Sequence, residues 1–189
     1  MSESTADMSA GLKDIKPNAL VEKVISLTDD EIDELSDAAE KAILDGNGFG
    51  WLKVPPRRVL ESYWRGVLLM PQRELFVARL DGSIVGSNQI LKPSPNNEAQ
   101  GHSVQVTTFF IAPWARGHGL ARGLMKLAED TAREAGYRQI DLDMRATQQA
   151  AIQLAEGAGY KRWGVKPHYA VVDGTFVEGY FYTKLLLGM

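Results

Sequence analysis

The sequence predicts one α/β domain built on a mixed, mostly antiparallel central sheet flanked by helices. Three observations carry that prediction. Apolar runs at 74–80 and 83–91 are joined by Asp81-Gly82, the dipeptide that favours a tight antiparallel hairpin. A long apolar strand at 103–111 leads through a glycine-rich turn into an amphipathic helix and then a short strand at 139–144, a β-α-β crossover. Two further strands, 160–165 and 176–187, close the chain as a terminal hairpin.

The remaining elements follow in order. Residues 1–18 are polar, end near Pro17-Asn18 and read as a flexible N-terminal tail; residues 19–189 form the domain. Residues 19–27 alternate as a first strand. Thr28 is placed to cap a helix whose first turn holds Asp29, Asp30 and Glu31, acids that complement the helix dipole. Ile32, Leu35, Ala39, Ile43 and Leu44 form its apolar stripe, and Asp45-Gly46-Asn47-Gly48 stops it. A second helix starts after Pro55-Pro56, with Val59, Leu60, Tyr63, Trp64, Val67 and Leu68 inward. Residues 92–101 form a loop. Leu120, Leu124, Leu127, Ala128 and Ala132 line the next helix, which Gly136 ends, and residues 148–156 form the last helix. The order is β-α-α-β-β-β-α-β-α-β-β.

Composition narrows the function classes. The 189 residues suffice for one domain with a substantial core, and 44% apolar with 24% charged residues is ordinary for a globular protein. A net charge of -3 argues against a general nucleic-acid binder. No apolar run reaches the ~18 residues of a membrane span. The N-terminus lacks a basic-then-apolar secretory pattern, so a cytoplasmic location is expected. With no cysteine there is no disulfide, cysteine-ligated zinc or cysteine nucleophile. The three histidines, 102, 118 and 168, have no metal-ligand spacing, and no metal is expected.

The segment from Phe109 to Leu124, Phe-Phe-Ile-Ala-Pro-Trp-Ala-Arg-Gly-His-Gly-Leu-Ala-Arg-Gly-Leu, is the most informative in the chain. A strand, small turn residues and a helix N-terminus together make a site for a phosphate. The backbone can approach closely, free N–H groups point outward and the dipole favours negative charge. No Lys-Ser or Lys-Thr pair follows, which excludes a P-loop, and Gly117, Gly119 and Gly123 miss the dinucleotide-binding spacing by one residue. The order is instead Arg-x-x-Gly-x-Ala at Arg116, Gly119 and Ala121.

That order resembles the pyrophosphate-binding signature of the GCN5-related N-acetyltransferases (GNAT), which use acetyl-coenzyme A (acetyl-CoA). The segment 150–160, Ala-Ala-Ile-Gln-Leu-Ala-Glu-Gly-Ala-Gly-Tyr, is similar to a second motif of the same family, and the resemblance runs from about residue 20 to 187. The resemblance implies the acyl-CoA N-acyltransferase fold, with acetyl-CoA as acyl donor. It implies that the strand residues Phe109, Phe110 and Ile111 splay from their neighbour and offer backbone groups to the pantetheine. It also implies that the loop from Arg116 through Gly117, His118, Gly119, Leu120, Ala121 and Arg122 holds the pyrophosphate, with charge added by Arg122 or Lys126. The family's usual asparagine aligns with Gln148, which still offers an amide. Its usual tyrosine, whose hydroxyl protonates the departing thiolate, aligns with Ala155. The ends of the chain resemble small-molecule acetyltransferases of the tabtoxin-resistance type.

Acetyl transfer to an amine needs a positioned thioester, an N–H donor for its carbonyl oxygen, met by Phe110 or Ile111, and a base. Asp143 is the leading base candidate, with Asp141 of the same parity behind it; either could instead be a solvent-facing acid. His168 and Tyr169 open the terminal hairpin and border the acceptor, although His168 could equally be a surface histidine. Glu98 reads as solvated, and His118 as loop-exposed and near phosphate. Phe49 and Trp51 are placed to wall the acceptor or to pack the loop; Trp64, Trp114 and Trp163 read as core or cofactor-rim residues. The leading expectation is transfer from acetyl-CoA to a primary amine of a small molecule, an amino-acid-like metabolite or antibiotic. The alternatives are a protein lysine or N-terminal acceptor, and a non-catalytic acyl-CoA sensor. An exposed strand or helix face could support a homodimer.

Overall fold

The computed structural model describes residues 16–46 and 49–186. Most of the expected tail, the loop residues Asn47 and Gly48, and the strand end Leu187 lie outside the described residues. Asn18, expected to end the tail, is tied down: its N–H donates to the Asp81 carboxylate at 2.8 Å and its carbonyl accepts from the Asp81 N–H.

The described elements are β1 (Ala19–Val24), α1 (Asp29–Leu44), α2 (Arg57–Leu69), β2 (Arg73–Leu80), β3 (Ser83–Leu91), β4 (Ser103–Ile111), α3 (Leu120–Glu134), β5 (Gln139–Arg145), α4 (Gln149–Gly157), β6 (Lys161–Val172) and β7 (Thr175–Leu185). The order is the expected one. The strands form a seven-stranded sheet in the order β1-β2-β3-β4-β5-β7-β6, antiparallel except where β4 meets β5. The returning strand β7 inserts beside β5 and leaves β6 at the edge. Adjacent residues of β3 show where the helices lie. The Asn88 amide donates to the Leu124 carbonyl of α3, and the Gln89 amide donates to Tyr63 of α2. Neighbouring side chains of a strand point to opposite faces, so α3 and α2 cover opposite faces of the sheet.

Local chemistry explains the best-defined boundaries. Thr28 and Glu31 form a reciprocal capping box: the Glu31 N–H donates to Thr28 Oγ1 at 3.2 Å, and the Thr28 N–H to Glu31 Oε2 at 2.8 Å. Both hairpins turn on Asp-Gly pairs with positive φ at each residue, 52° and 95° at Asp81-Gly82 and 48° and 78° at Asp173-Gly174. That is the backbone of a two-residue turn matched to strand twist.

Three expectations are corrected. Leu44 and Val59 are exposed rather than inward (65% and 40%), because each lies one residue, about 100° around its helix, from a buried neighbour, Ile43 and Leu60. On α3, Met125 and Glu129 are buried while Leu127 packs only partly against the core; Glu129 is admitted by its ion pair with Lys184 of β7 at 2.6 Å. β6 continues through Pro167 to Val172, beyond the end expected at Val165. An edge strand tolerates the missing N–H of proline at a bulge, and β6 has a large one. Lys166 pairs with Gly179 and Ala170 with Val177, so Pro167, His168 and Tyr169 stand opposite Glu178 alone.

Candidate active site

The centre of the sheet is open. β4 and β5 pair only at 103–105 and 139–141, and beyond Gln105 and Asp141 no ladder joins them among the described residues. On its other side β4 carries a bulge. Ser87 faces Phe110 and Gln89 faces Thr107, so Thr108 and Phe109 together stand opposite Asn88. Thr108 adopts φ 52°, a costly conformation for a β-branched residue. A partly buried polar chain holds it there. Arg73 donates to Gln89 Oε1 at 2.6 Å, Gln89 donates to Tyr63 Oη at 3.1 Å, and Tyr63 lies 3.1 Å from Thr108 Oγ1. Because Tyr63 accepts from Gln89, its own proton is available to Thr108. Past the bulge, the Ala112 N–H donates to the Val85 carbonyl. Antiparallel alternation then turns the Ile111 N–H toward the opening beside β5.

The strand runs through Pro113 into the glycine loop. Gly119 is the N-cap of α3 with φ 77° and no side-chain cap. The N–H groups of Leu120, Ala121 and Arg122 therefore lack intrahelical acceptors, whereas that of Gly123 bonds Gly119 O. They sit on the wall of a cavity of about 920 Å³ lined by Phe109, Phe110, Ile111, Arg116, Gly117, Gly119, Leu120, Ala121, Arg122 and Lys126. A Cβ built on Gly117 or Gly119 meets nothing within 4 Å, so the loop keeps its space clear. Arg116 also pairs with Asp45 at 2.8 Å, which pins the loop to the end of α1.

His118 is not among these lining residues; it is exposed, because the positive-φ glycines on either side bring backbone to the cavity and leave the side chain outside. Gln148 lines the cavity, and its side-chain oxygen accepts from the Arg145 N–H at 3.0 Å, which leaves its NH2 group to donate. The opposite wall is α4, with Ala150, Ala151, Leu154, Gly157 and Ala158. Of that wall only Gln148 is expected from the sequence to meet the cofactor; the run of small residues in 150–158 is the signal for the rest. Ala155 is fully buried and outside the lining, so no hydroxyl stands at the family's tyrosine position.

A second cavity of about 460 Å³ shares Phe109, Met125, Gln148 and Ala151 with the first. Asp143 lines it and is held from two sides: Gln105 Nε2 donates to Oδ1 at 2.7 Å, and the Tyr169 hydroxyl donates to Oδ2. Burial, and then the Asp143 carboxylate, holds the Tyr169 phenol well above its ordinary range, so the proton stays on Tyr169. The β6 bulge and Gly179 make this meeting possible. A Cβ on Gly179 would lie 2.1 Å from Tyr169 Cγ, so the ring occupies space that only glycine leaves.

His168 is not brought to the cavity. It is exposed and packs against Phe176 with the rings tilted and their centroids 4.6 Å apart. Tyr169 takes the inward position next to it. Asp141 is occupied elsewhere, accepting from Ser103 at 2.6 Å and from Gln139 at 3.0 Å, and Glu98 is exposed in a short turn. Phe49 and Leu52 line the second cavity, while Trp51 packs edge-on against Tyr63. Trp64 is buried in the core, and Trp114 and Trp163 are mostly exposed. Among the described residues no group of acids and histidines could hold a metal ion, and no helix is long and apolar enough to cross a membrane.

Comparison with known proteins agrees with this fold. Residues 34–160 match the family model described as Acetyltransferase (GNAT) family. An uncharacterized N-acetyltransferase from the hisH-hisA intergenic region of Azospirillum brasilense is 52% identical over 128 residues, 68% of this chain and 76% of that protein. An IAA acetyltransferase of the same organism is 31% identical over 93 residues, 49% of this chain and 58% of its own length. Among solved structures, an N-acetyltransferase from Staphylococcus aureus Mu50 shares the fold with a TM-score of 0.76 at 19% identity, covering 90% of this chain and 99% of its own. The yncA protein of Salmonella typhimurium, solved with its cofactor acetyl-CoA, has a TM-score of 0.73 at 16% identity, covering 91% of this chain and 96% of its own. The chain belongs to the acetyltransferase (GNAT) family and is an acetyl-CoA-dependent N-acetyltransferase.

Proposed function

We propose that this enzyme acetylates a primary amine of a small molecule bound in the second cavity, with Asp143 as the base. The observation that carries the reading is the pairing of the two cavities. A cleft of about 460 Å³, of the size that small ligands occupy, opens onto the uncapped helix N-terminus through shared residues and has a held carboxylate on its wall.

The residues fit acetyl-CoA. The N–H groups of Leu120, Ala121 and Arg122 suit a pyrophosphate, with the side chains of Arg122 and Lys126 adding positive charge, and the open edge at Phe109–Ile111 suits the pantetheine amides. When bound, acetyl-CoA supplies the acetyl group as a thioester, whose thiol leaving group has a pKa near ~8.5 and departs with little help near neutral pH. The Ile111 N–H is the donor for the carbonyl oxygen. An alkylammonium of pKa ~10.4 is about one part in a thousand neutral at pH 7, a penalty of roughly 4–5 kcal/mol. Asp143 is the base that takes the proton from the ammonium before attack, which frees the nitrogen lone pair to form the bond to the acetyl carbon. Gln105 and Tyr169 hold the carboxylate in register.

The first test is a calorimetric titration with acetyl-CoA, followed by thiol release on a panel of small amines, N-terminal peptides and lysine peptides. Micromolar acetyl-CoA binding and turnover of small amines above peptides is expected. Turnover of peptides alone would overturn the small-molecule acceptor. Binding without thiol release on any amine would return the sensor reading.

A milder prediction concerns Gly179. Gly179→Ala is expected to displace the Tyr169 ring and cost one hydrogen bond to a charged group, lowering turnover roughly ten-fold. Tyr169→Phe should do the same, and the acetyl-CoA Kd should be unchanged in both. Wild-type turnover in Gly179→Ala would separate Tyr169 from the reaction.

A further inference from the structure

The second cavity is lined from both faces of the sheet. Asn88 of β3 reaches α3 through the Leu124 carbonyl, and Ile90, two residues along, pairs with Val106, so Val106 lies on the α3 face. Val104 pairs with Ile140 across the parallel ladder, which puts Leu142 and Met144 of β5 on that face too. Tyr182, the β7 partner of Leu142, donates to Glu156 of α4 at 2.9 Å, so α4 covers the same face. Gln105, Thr107 and Asp143 have the opposite parity. The cavity therefore passes through the sheet where β4 and β5 have parted. Asp143 stands on one side of the passage. On the other side the lining is Val106, Leu142 and Met144 from the strands, Met125 from α3 and Ala151 from α4. All five side chains are apolar, and the first four are at most 8% exposed.

Met125 and Ala151 also line the first cavity, so a thioester that enters from the cofactor side arrives beside this apolar floor. An amine that approaches from the Asp143 side leaves the floor as the place for the alkyl part of the acyl group. We infer that Val106, Met125, Leu142, Met144 and Ala151 form an acyl pocket, and that the enzyme transfers propionyl and butyryl groups from their CoA esters as well as acetyl. The inference rests on the first cavity holding the cofactor and not on the identity of the acceptor. Met125 and Met144 are unbranched and flexible, so the floor can repack around a longer chain. The transfer step keeps the same balance. Asp143 takes the ammonium proton, the nitrogen bonds the acyl carbon, and the C–S bond breaks with its electron pair leaving on sulfur.

Calorimetric titration of the full chain with CoA and with its acetyl, propionyl and butyryl esters tests the pocket without an acceptor. With unesterified CoA as the baseline, affinity is expected to rise from acetyl to butyryl by up to about four-fold for each buried methylene. Equal Kd values for the three esters would place the alkyl group in water. A butyryl ester weaker than the acetyl ester by about ten-fold or more would mean that the floor is closed. Either result overturns the acyl pocket. Failure of CoA itself to bind would instead overturn the cofactor assignment beneath it. Leu142→Phe fills the floor from β5 and should remove the gain for butyryl-CoA. Val106→Ala enlarges it and should extend the gain to hexanoyl-CoA. Thermal melting verifies that the variants are folded, and if Leu142→Phe does not fold, Val106→Ala carries the comparison. An ester series unchanged by the folded variants overturns the assignment of these residues. On the amine panel, butyryl-CoA should release thiol and yield a butyrylated product by mass spectrometry. A butyryl ester that binds but releases no thiol, with an amine that accepts acetyl, overturns the further activity.

Discussion

Gly119→Glu is expected to weaken acetyl-CoA binding at least a hundred-fold and leave the domain folded. Gly119 caps α3 at φ 77°, and its missing side chain would extend into open space at the cavity wall. Glutamate places a carboxylate in front of the N–H groups of residues 120–122, where it occupies the anion site and repels the phosphates. The left-handed conformation adds a penalty of about 1–2 kcal/mol, which a domain of this size tolerates. Gly119→Asn separates the two effects, because asparagine accepts positive φ and brings no charge. Calorimetry and thermal melting together read the result. An unchanged Kd in a well-folded Gly119→Glu protein would sink the assignment of the loop to the cofactor.

Asp143→Asn is expected to lower kcat by about 10²- to 10⁴-fold, the usual weight of general-base catalysis. Asparagine keeps the shape of the side chain and still accepts a hydrogen bond, so the cavity should hold its form. The acetyl-CoA Kd should stay at the wild-type value, since Asp143 lines the second cavity and not the first. A loss of less than about five-fold with the best acceptor would mean that the proton leaves by another route. An equal loss in cofactor binding would mean that Asp143 is structural.

Features set within a few residues were legible in the sequence. Thr28 and the acids after it place the start of α1, Asp81-Gly82 sets the hairpin, and the spacing of Arg116, Gly119 and Ala121 marks the loop that the structure places on the large cavity. Features that depend on distant partners were not. Burial of Glu129 requires Lys184, 55 residues away. The inward turn of Tyr169 requires a bulge whose register is written jointly by β6 and β7, and a glycine at 179 that no local pattern distinguishes. His168 and Tyr169 are neighbours of similar chemistry, and strand parity decides which one faces the cavity. Parity cannot be counted across a bulge before its place is known. The Asp143–Gln105 contact falls between these cases. The parallel pairing of β4 with β5 at Gln105 and Asp141 lies one step before it, but the sequence does not state that register.

The early parting of β4 from β5 has a consequence for how this protein tolerates genetic change. A sheet open at its middle is closed from within by whatever fills the gap, and a ligand that binds only the folded chain adds to its stability by mass action. At a concentration a hundred times its Kd the gain is about 2.7 kcal/mol. That is larger than the damage done by most single substitutions. In a cell rich in the cofactor, weakening variants along the central strands would be buffered and accumulate unseen. When the cofactor runs low, the same variants would lose that support together.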